Sequence, residues 1–520
     1  MNIQDNMWKY LFKIIFLGIM DALSIWSAVI LYNDSAYLLL IGLIIVVGAI
    51  NIVYLIDKAY PMRYILPGTI FMVIFVVYPI FYTVYISFTN YGTGNILSKQ
   101  QVVNQLENRY FSPQDAEEFS FSTFKLENEK EFILLFENEE GERFVGFENE
   151  LIPINDFDQD IVDSDNDGKI DEIAGYKRLP QMQLFQHLSS LQDLEYEIND
   201  RILRMKNTEY FSSYIRQYKY DEDKDQLISL RTNKVYNPSE NGYFKANDGE
   251  RLTPGFRTNI GWKNYKKLLT DDRVFNPFLR VFIWTFEWAI LSVFLTFSLG
   301  LFMAILLNDK NLRFRKIYRV ILILPYAIPG FISVLVWRGL FNAEVGAVNN
   351  LLQFFSIGGI QWMQHPVWAK VALLIVNLWM GFPYMMLIAL GSLQSISDTL
   401  YEAAAIDGAS VWQKFRHITL PLLLVSLGPL LISSFAFNFN NFNVIYLFNE
   451  GGPAIPGAQT PAGATDILIS YTYRLSFATG RGSDFGLAST VALFIFMITA
   501  TITWFNFKYT GALEDVKENE

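Results

Sequence analysis

The chain has no cysteine and only three histidines, His187, His365 and His417, among 520 residues. Without thiols there is neither a disulfide framework nor a thiolate metal site, and three scattered imidazoles exclude a histidine-rich metal centre. No G-x-x-x-x-G-K-[ST] run occurs, so the chain has no P-loop to cradle nucleotide phosphates. Positive charge is also short: 41 Lys and Arg stand against 52 Asp and Glu, a formal net charge of −11. Surfaces of that sign argue against nucleic acid as a partner.

The acid is unevenly spread. Residues 91–276 hold 23 basic and 35 acidic side chains, whereas the rest of the chain holds 18 and 17. One hydrophilic insert therefore carries the excess, and the remainder is close to neutral. That remainder is rich in uninterrupted apolar runs, in a chain that is 52% hydrophobic and 16% aromatic. Runs of this length mark membrane spans rather than amphipathic soluble helices.

Eight spans are expected: 14–32, 36–56, 64–88 (with Pro67 and Pro79 as kinks), and segments near 281–307, 320–341, 371–396, 419–448 and 485–507. The first lacks a small-x-small site before Asn33, so it is expected to be retained rather than cleaved as a signal. An even count puts both termini on one side. With the N-terminus inside, 13 of the 18 basic residues outside the insert fall in the cytoplasm, among them Arg313, Arg315, Lys316 and Arg319. The opposite orientation leaves Arg280, Arg338, Lys370, Arg474 and Arg481 inside. The fold class is thus an all-α polytopic membrane protein of eight transmembrane helices, in the cell inner (cytoplasmic) membrane. Residues 1–91 form three N-terminal spans, 92–276 an inserted extracytoplasmic (periplasmic) domain, and 277–510 a five-span core.

Within the insert, Glu131–Glu137 and Glu142–Glu148 flank Asn138-Glu-Glu-Gly141 and read as a β-hairpin, while Met182–Met205 carries apolar residues at helical spacing. A mixed or mostly-β domain follows. Asp163, Asp165, Asp167 and Asp171, with Gly168 among them, match the first half of a calcium loop. The twelfth position is Ala174 where a bidentate glutamate is usual. A structural calcium and a merely solvated acidic loop stay open side by side.

Between the sixth and seventh spans the chain reads Tyr401-Glu402-Ala403-Ala404-Ala405-Ile406-Asp407-Gly408, then nine residues, then Ile418-Thr419-Leu420-Pro421. Small side chains let a partner approach the helix backbone closely. Gly408 can take the angles that end one short helix and begin another, and Pro421 suits the start of the following span. The pattern E-A-A-x3-G-x9-I-x-L-P is met at every fixed position, and it resembles the signature of importer permeases in the ABC superfamily. That resemblance implies a type I importer core and no enzyme activity of its own. It also makes Glu402, Ala403, Ala404, Gly408, Ile418, Leu420 and Pro421 the contact with ATPase subunits. Since the chain has one such loop and no P-loop, the implied assembly adds a second permease subunit and two ATPase subunits that bind the ATP. An extracytoplasmic sugar-binding protein would deliver the cargo.

Further segments extend the likeness to carbohydrate permeases of the maltose type: Pro254–Tyr265, Leu322–Pro329, Gly381–Met386, Ser434–Phe442, Asn449–Pro453 and Thr460–Asp466. It is dense over about 254–508 and weak in the insert. It implies a malto-oligosaccharide cargo, the alternative being another oligosaccharide or solute on the same scaffold, with Gly381, Tyr384, Ser434, Phe437, Asn438 and Asn441 at the substrate pocket. Chemistry points the same way without it. On a helix, Ser434, Phe437, Asn438 and Asn441 fall on one stripe, joining an aromatic ring to hydroxyl and amide groups as a sugar requires. Gly381 and Pro383 are expected to break their span near Tyr384. The alternative is that the asparagines bridge helices, as amides do in membranes. Asp21 and Glu287 are intramembrane acids expected to pair with a partner or to lie at the interface rather than relay protons. A membrane-anchored receptor or external enzyme would leave the 401–421 loop without a role, and the insert offers no nucleophile–base constellation for it.

Overall fold

The computed structural model describes residues 3–33, 37–126, 132–147, 150–158, 160–163, 169–192, 194–198, 201–309, 311–478 and 482–518. The chain divides into two compact units, one of residues 1–88, 264–478 and 485–520, the other of 89–263 and 479–484.

The larger unit is helical. It begins with α1 (Ile3–Asn33), α2 (Tyr37–Leu55), α3 (Met62–Met72) and α4 (Tyr78–Ser87). After the other unit come α5 (Asp272–Asn308), α6 (Arg315–Ala327), α7 (Gly330–Leu340) and α8 (Pro366–Ser395). Then follow α9 (Asp398–Ile406), α10 (Leu420–Phe439), α11 (Phe442–Asn449), α12 (Leu468–Phe477) and α13 (Phe485–Glu518). Among the described residues six helical segments are long and apolar enough to cross a membrane. The pair α6–α7, bent by 91°, makes a seventh, and Leu39–Leu55 is a shorter apolar helix. The membrane body is therefore multi-pass. The α5 helix starts at Asp272, earlier than its apolar run, because Asp271 caps it by accepting from the Arg273 N–H.

Prolines leave their mark in an unexpected form. Pro79 does not simply kink its span: a π-helical segment, Val73–Val77, leads into it. The same device precedes Pro421, where Phe415–Thr419 is π-helical. A proline inside a helix lacks the N–H for its carbonyl four residues back and collides with it, and a π turn relieves both problems. The span holding Pro421 therefore re-enters helix at Val411, ten residues before the proline expected to start it. Pro383 breaks nothing. The α8 helix runs unbroken through Gly381 and Pro383, which corrects the expected interruption there.

Among the described residues the α5 and α8 helices form the most extensive pairing of the body. Glycines make it possible. A Cβ on Gly300 would lie 2.7 Å from Met385 Cβ and 2.8 Å from the Met386 nitrogen, and one on Gly381 would meet Thr296 Cγ2 at 2.9 Å. Close backbone approach through small residues is what drives helix association in lipid, where burial alone gives no advantage. Buried Trp284, Trp288, Val376, Ile445 and Phe448 continue this core toward α7 and α11. By contrast, α1 and the α3–α4 span are almost wholly uncovered by protein. Asp21 of α1 accepts from Asn51 of α2 at 2.7 Å, and Glu287 lies 3.9 Å from Lys370, whose ammonium also sits over the Trp284 ring. Both acids pair locally, as expected.

The second unit is β-rich. An eleven-stranded sheet and an antiparallel four-stranded meander (Tyr218–Asp221, Gln226–Ser229, Val235–Pro238, Phe244–Ala246) make it up. The meander packs on the helix Lys99–Glu107, whose Ser98 and Gln101 form a reciprocal capping box. The expected hairpin is present: Phe132–Asn138 pairs with Arg143–Phe147, and Asn138 Oδ1 accepts from the N–H groups of Glu140 and Glu142 in the turn. The helix expected over Met182–Met205 ends at Gln192. Tyr196–Ile198 and Arg201–Met205 are antiparallel strands instead, with Leu203 opposite Tyr196. Both patterns bury Leu184, Leu191, Tyr196 and Leu203 in one core, so tertiary packing overrode the apparent period.

Candidate transport cavity and coupling loop

Two breaks in the helices open room inside the membrane body. One is the 91° bend between α6 and α7, where Pro329 precedes Gly330 and removes a donor from the turn. The other lies between α10 and α11, where Asn440 and Asn441 leave helical geometry. Between them and α8 is a cavity of about 780 Å³, in the size range of small-ligand sites. Gly381, Tyr384, Ser434, Phe437, Asn438 and Asn441 all line it. Asn441 reaches it from the break rather than from one continuous helical stripe, which corrects the expected geometry. Asn440 turns the other way, its amide toward Ala436 O and Thr499.

Among the described residues the wall carries no charge: hydroxyls, amides, two tyrosines and apolar side chains make it up. Asn438 is 8% exposed and spends its groups internally. Its Nδ2 donates to Ser434 O at 2.8 Å, its Oδ1 accepts from Asn377 Nδ2 at 3.0 Å, and its carbonyl accepts from Trp288 Nε1 at 3.1 Å. It lines the cavity and ties α10 to α8 and α5 at once, so the helix-bridging hydrogen bonds are present at a residue of the wall. Phe437 is 69% exposed and its side chain lines the cavity. Tyr384 stacks on Tyr326, centroids 6.0 Å apart and planes at 22°.

Sequence reasoning missed Tyr326, Asn377 and Asn443, which share the wall. Asn377 was findable: it stands one turn before Gly381 on the same helical face. Tyr326 follows Pro325 in a segment whose bend no period reveals.

The candidate coupling loop is a helix-turn-helix. Ser397 caps α9 by accepting from the Thr399 N–H. At its far end Gly408 has φ +77°, Ala409 N–H donates to Ala404 O at 2.9 Å, and Gly408 N–H donates to Ala405 O at 3.1 Å. This closing motif satisfies carbonyls the helix end would leave bare. Ser410 and Gln413 then cap the next helix reciprocally. Tyr401 and Thr419 share a hydroxyl hydrogen bond of 2.9 Å that pins α9 against the π segment. Glu402, Ala403, Gly408 and Pro421 are exposed, while Ala404, Ile418 and Leu420 are half-buried. Ile406 and Val411, 87% and 86% exposed, flank the turn with Trp412, an apolar tip that the sequence reading did not single out.

The acidic loop falls partly outside the described residues. Asp165 and Asp167 lie outside the described residues. Asp163 and Asp171 flank the tip of a short hairpin, since Ile161–Val162 pairs with Glu172–Ile173. Ala174, the twelfth position, belongs to the following turn with φ +53°. Among the described residues no three acidic or imidazole groups gather as metal ligands.

Outside the cavity, Asp466 is fully buried in the segment between α11 and α12. It accepts from Arg474 Nη1 at 2.8 Å, Gly463 N at 2.7 Å and Ser470 Oγ at 2.8 Å. Burial pushes its carboxyl up to about 6, and these donors act against that rise.

A polytopic body of apolar helices with an exposed helix-turn-helix and an uncharged inner cavity fits a permease. Residues 296–510 match the family described as binding-protein-dependent transport system inner membrane component. Residues 70–149 match the N-terminal region of the transmembrane subunit in such ABC transporters. Along its length the chain is 36% identical to the maltose/maltodextrin transport system permease protein MalF of Vibrio parahaemolyticus, over 98% of this chain and 96% of that protein. It is 37% identical to MalF of Yersinia pestis (95% and 93%) and 36% to that of Escherichia coli K12 (95% and 95%). The chain belongs to the MalF family of ABC importer permease subunits. A bacterial ABC transporter structure for alginate import matches with a TM-score of 0.42 at 23% identity, over 49% of this chain and 84% of that one.

Proposed function

We propose that this permease conducts maltose and malto-oligosaccharides, with Gly381, Tyr384, Ser434, Phe437, Asn438 and Asn441 forming the cargo site. The observation that carries the reading is the uncharged wall of the 780 Å³ cavity, where aromatic rings and amide or hydroxyl groups meet. A neutral polyol needs those two kinds of contact and no counter-ion. The names of the MalF relatives favour the same cargo.

In this reading a MalG-like second permease completes the channel, and two MalK-like subunits bind and hydrolyse ATP. The exposed tip of Ile406, Val411 and Trp412 supports a protein partner at the 401–421 loop, because such side chains gain by leaving water. The same reading counts eight spans, with both termini in the cytoplasm and residues 92–276 in the periplasm, where a sugar-binding protein would dock. Calcium in the Asp163–Asp171 loop belongs to the same proposal, and calorimetric titration of the assembled transporter with calcium tests it; no heat ends it.

The cargo is tested with the full transporter in proteoliposomes, using labelled maltose against unlabelled maltodextrins and unrelated disaccharides. Maltodextrins should compete and the others should not. Uptake indifferent to maltodextrins overturns the assignment, and transfer of competition to another oligosaccharide names its replacement.

A further inference from the structure

Where α5 ends at Asn308 the chain turns through Phe314, whose backbone is left-handed at φ +60°, and enters α6. Arg313, Arg315, Lys316 and Arg319 crowd this entry. Among the described residues none of the four meets a carboxylate, and the Nε atoms of Arg315 and Arg319 are enclosed without an acceptor. Four cations at a helix N-terminus share the sign of the helix's own partial charge there, an arrangement that an anion relieves. Phe314 offers the helix no side-chain cap either. Interleaved with the cations, Phe314, Ile317, Tyr318, Val320 and Ile321 are exposed.

Charge and grease thus alternate at the end of a membrane span. A soluble anion would use the charges and leave the apolar side chains in water. A protein partner would need acidic groups set among a lipid-level apolar surface. A phospholipid answers both, with its acyl chains against the apolar side chains and its phosphodiester against the guanidinium forks, which match phosphate geometry in pairs. We propose that Arg313, Arg315, Lys316 and Arg319 seat the headgroup of an anionic phospholipid of the surrounding bilayer. The inference rests on α5 and α6 crossing the membrane, and is independent of which sugar is carried.

The intact transporter containing this chain is delipidated in detergent and offered phosphatidylglycerol or phosphatidylcholine of identical acyl chains, with retained lipid counted by native mass spectrometry. Wild type should hold phosphatidylglycerol preferentially. The triple variant Arg313→Gln, Arg315→Gln, Arg319→Gln should hold it about a hundredfold more weakly. The corresponding Lys variant, which keeps the charge, should recover most of the loss and so separate charge from misfolding. Equal retention of both lipids by wild type, or undiminished retention by the Gln variant, overturns the proposal. Displacement of the lipid by excess inorganic phosphate reassigns the seat to a free anion and overturns it as well. Since the readout is lipid and not uptake, a wrong cargo assignment leaves these outcomes unchanged.

Discussion

Asn377 of α8 donates its amide to Asn438 of α10 across the wall of the cavity, 3.0 Å from nitrogen to oxygen. The bond fixes which face of the Asn438 amide is left for anything inside. Replacing Asn377 by Leu should free that oxygen, costing about 0.6–2 kcal/mol of helix association. Uptake should fall through a higher KM with little change in maximal rate. Proteoliposome kinetics check this, and an unchanged KM would mean that Asn438 is positioned by its backbone alone.

Gly300 and Gly381 both let α5 and α8 touch, but they face different neighbours. The Gly300 position faces backbone of the facing helix, which cannot move aside, whereas Gly381 faces the methyl of Thr296. Gly300→Ala should therefore destabilise by about 1–3 kcal/mol, and Gly381→Ala by less. Thermal unfolding of the purified complex in detergent ranks the two. A reversed order would show that the side chain yields less readily than the backbone.

Gly408 holds φ +77° in the turn of the coupling loop. A β-branched residue there is strained by about 1–2 kcal/mol, and relief would swing the Ile406–Val411 tip. Gly408→Val should sever cargo uptake from ATP turnover while leaving cargo binding intact. Wild-type uptake per ATP in this variant would remove the loop from the transmission of work.

Asp466 gives a pH signature. Its carboxyl is lifted from 3.8 to about 6 by burial, so the folded segment favours the protonated form. The stability this confers is fully present below about 4 and is lost as pH rises through about 6. The Tm difference between wild type and Asp466→Asn should accordingly shrink over that window and level off above it. A flat difference would mean that Arg474, Ser470 and Gly463 offset burial and leave the carboxyl at its ordinary value.

The apolar spans, the loop of alanines and the Ser434–Asn438 face of α10 were legible because each rests on local sequence: length of apolar run, cap and turn residues, spacing along one helix. The bend at Pro329 and the break at Asn440 were not, because a proline's effect depends on its surroundings. Pro383 lies inside an intact helix, while Pro79 and Pro421 are absorbed by π turns. Tyr326 and Tyr384 come from helices far apart in the chain, and no single-chain period brings them together. In the β-rich unit, Leu184–Leu203 reads as helix by spacing and resolves into helix plus strands once a shared core claims its apolar residues.

The π turn at Phe415–Thr419 holds one residue beyond what a regular helix would fit between the coupling loop and the inner wall. It behaves as slack in the thread. Removing one residue from that turn should let the helix close up, with Ser434, Phe437 and Asn438 keeping their heading. Removing one between Leu422 and Gly428 has no such reserve and should spin all three by about 100°, facing them away from the cargo. Length changes in this helix are therefore tolerated upstream of Pro421 and ruinous just beyond it.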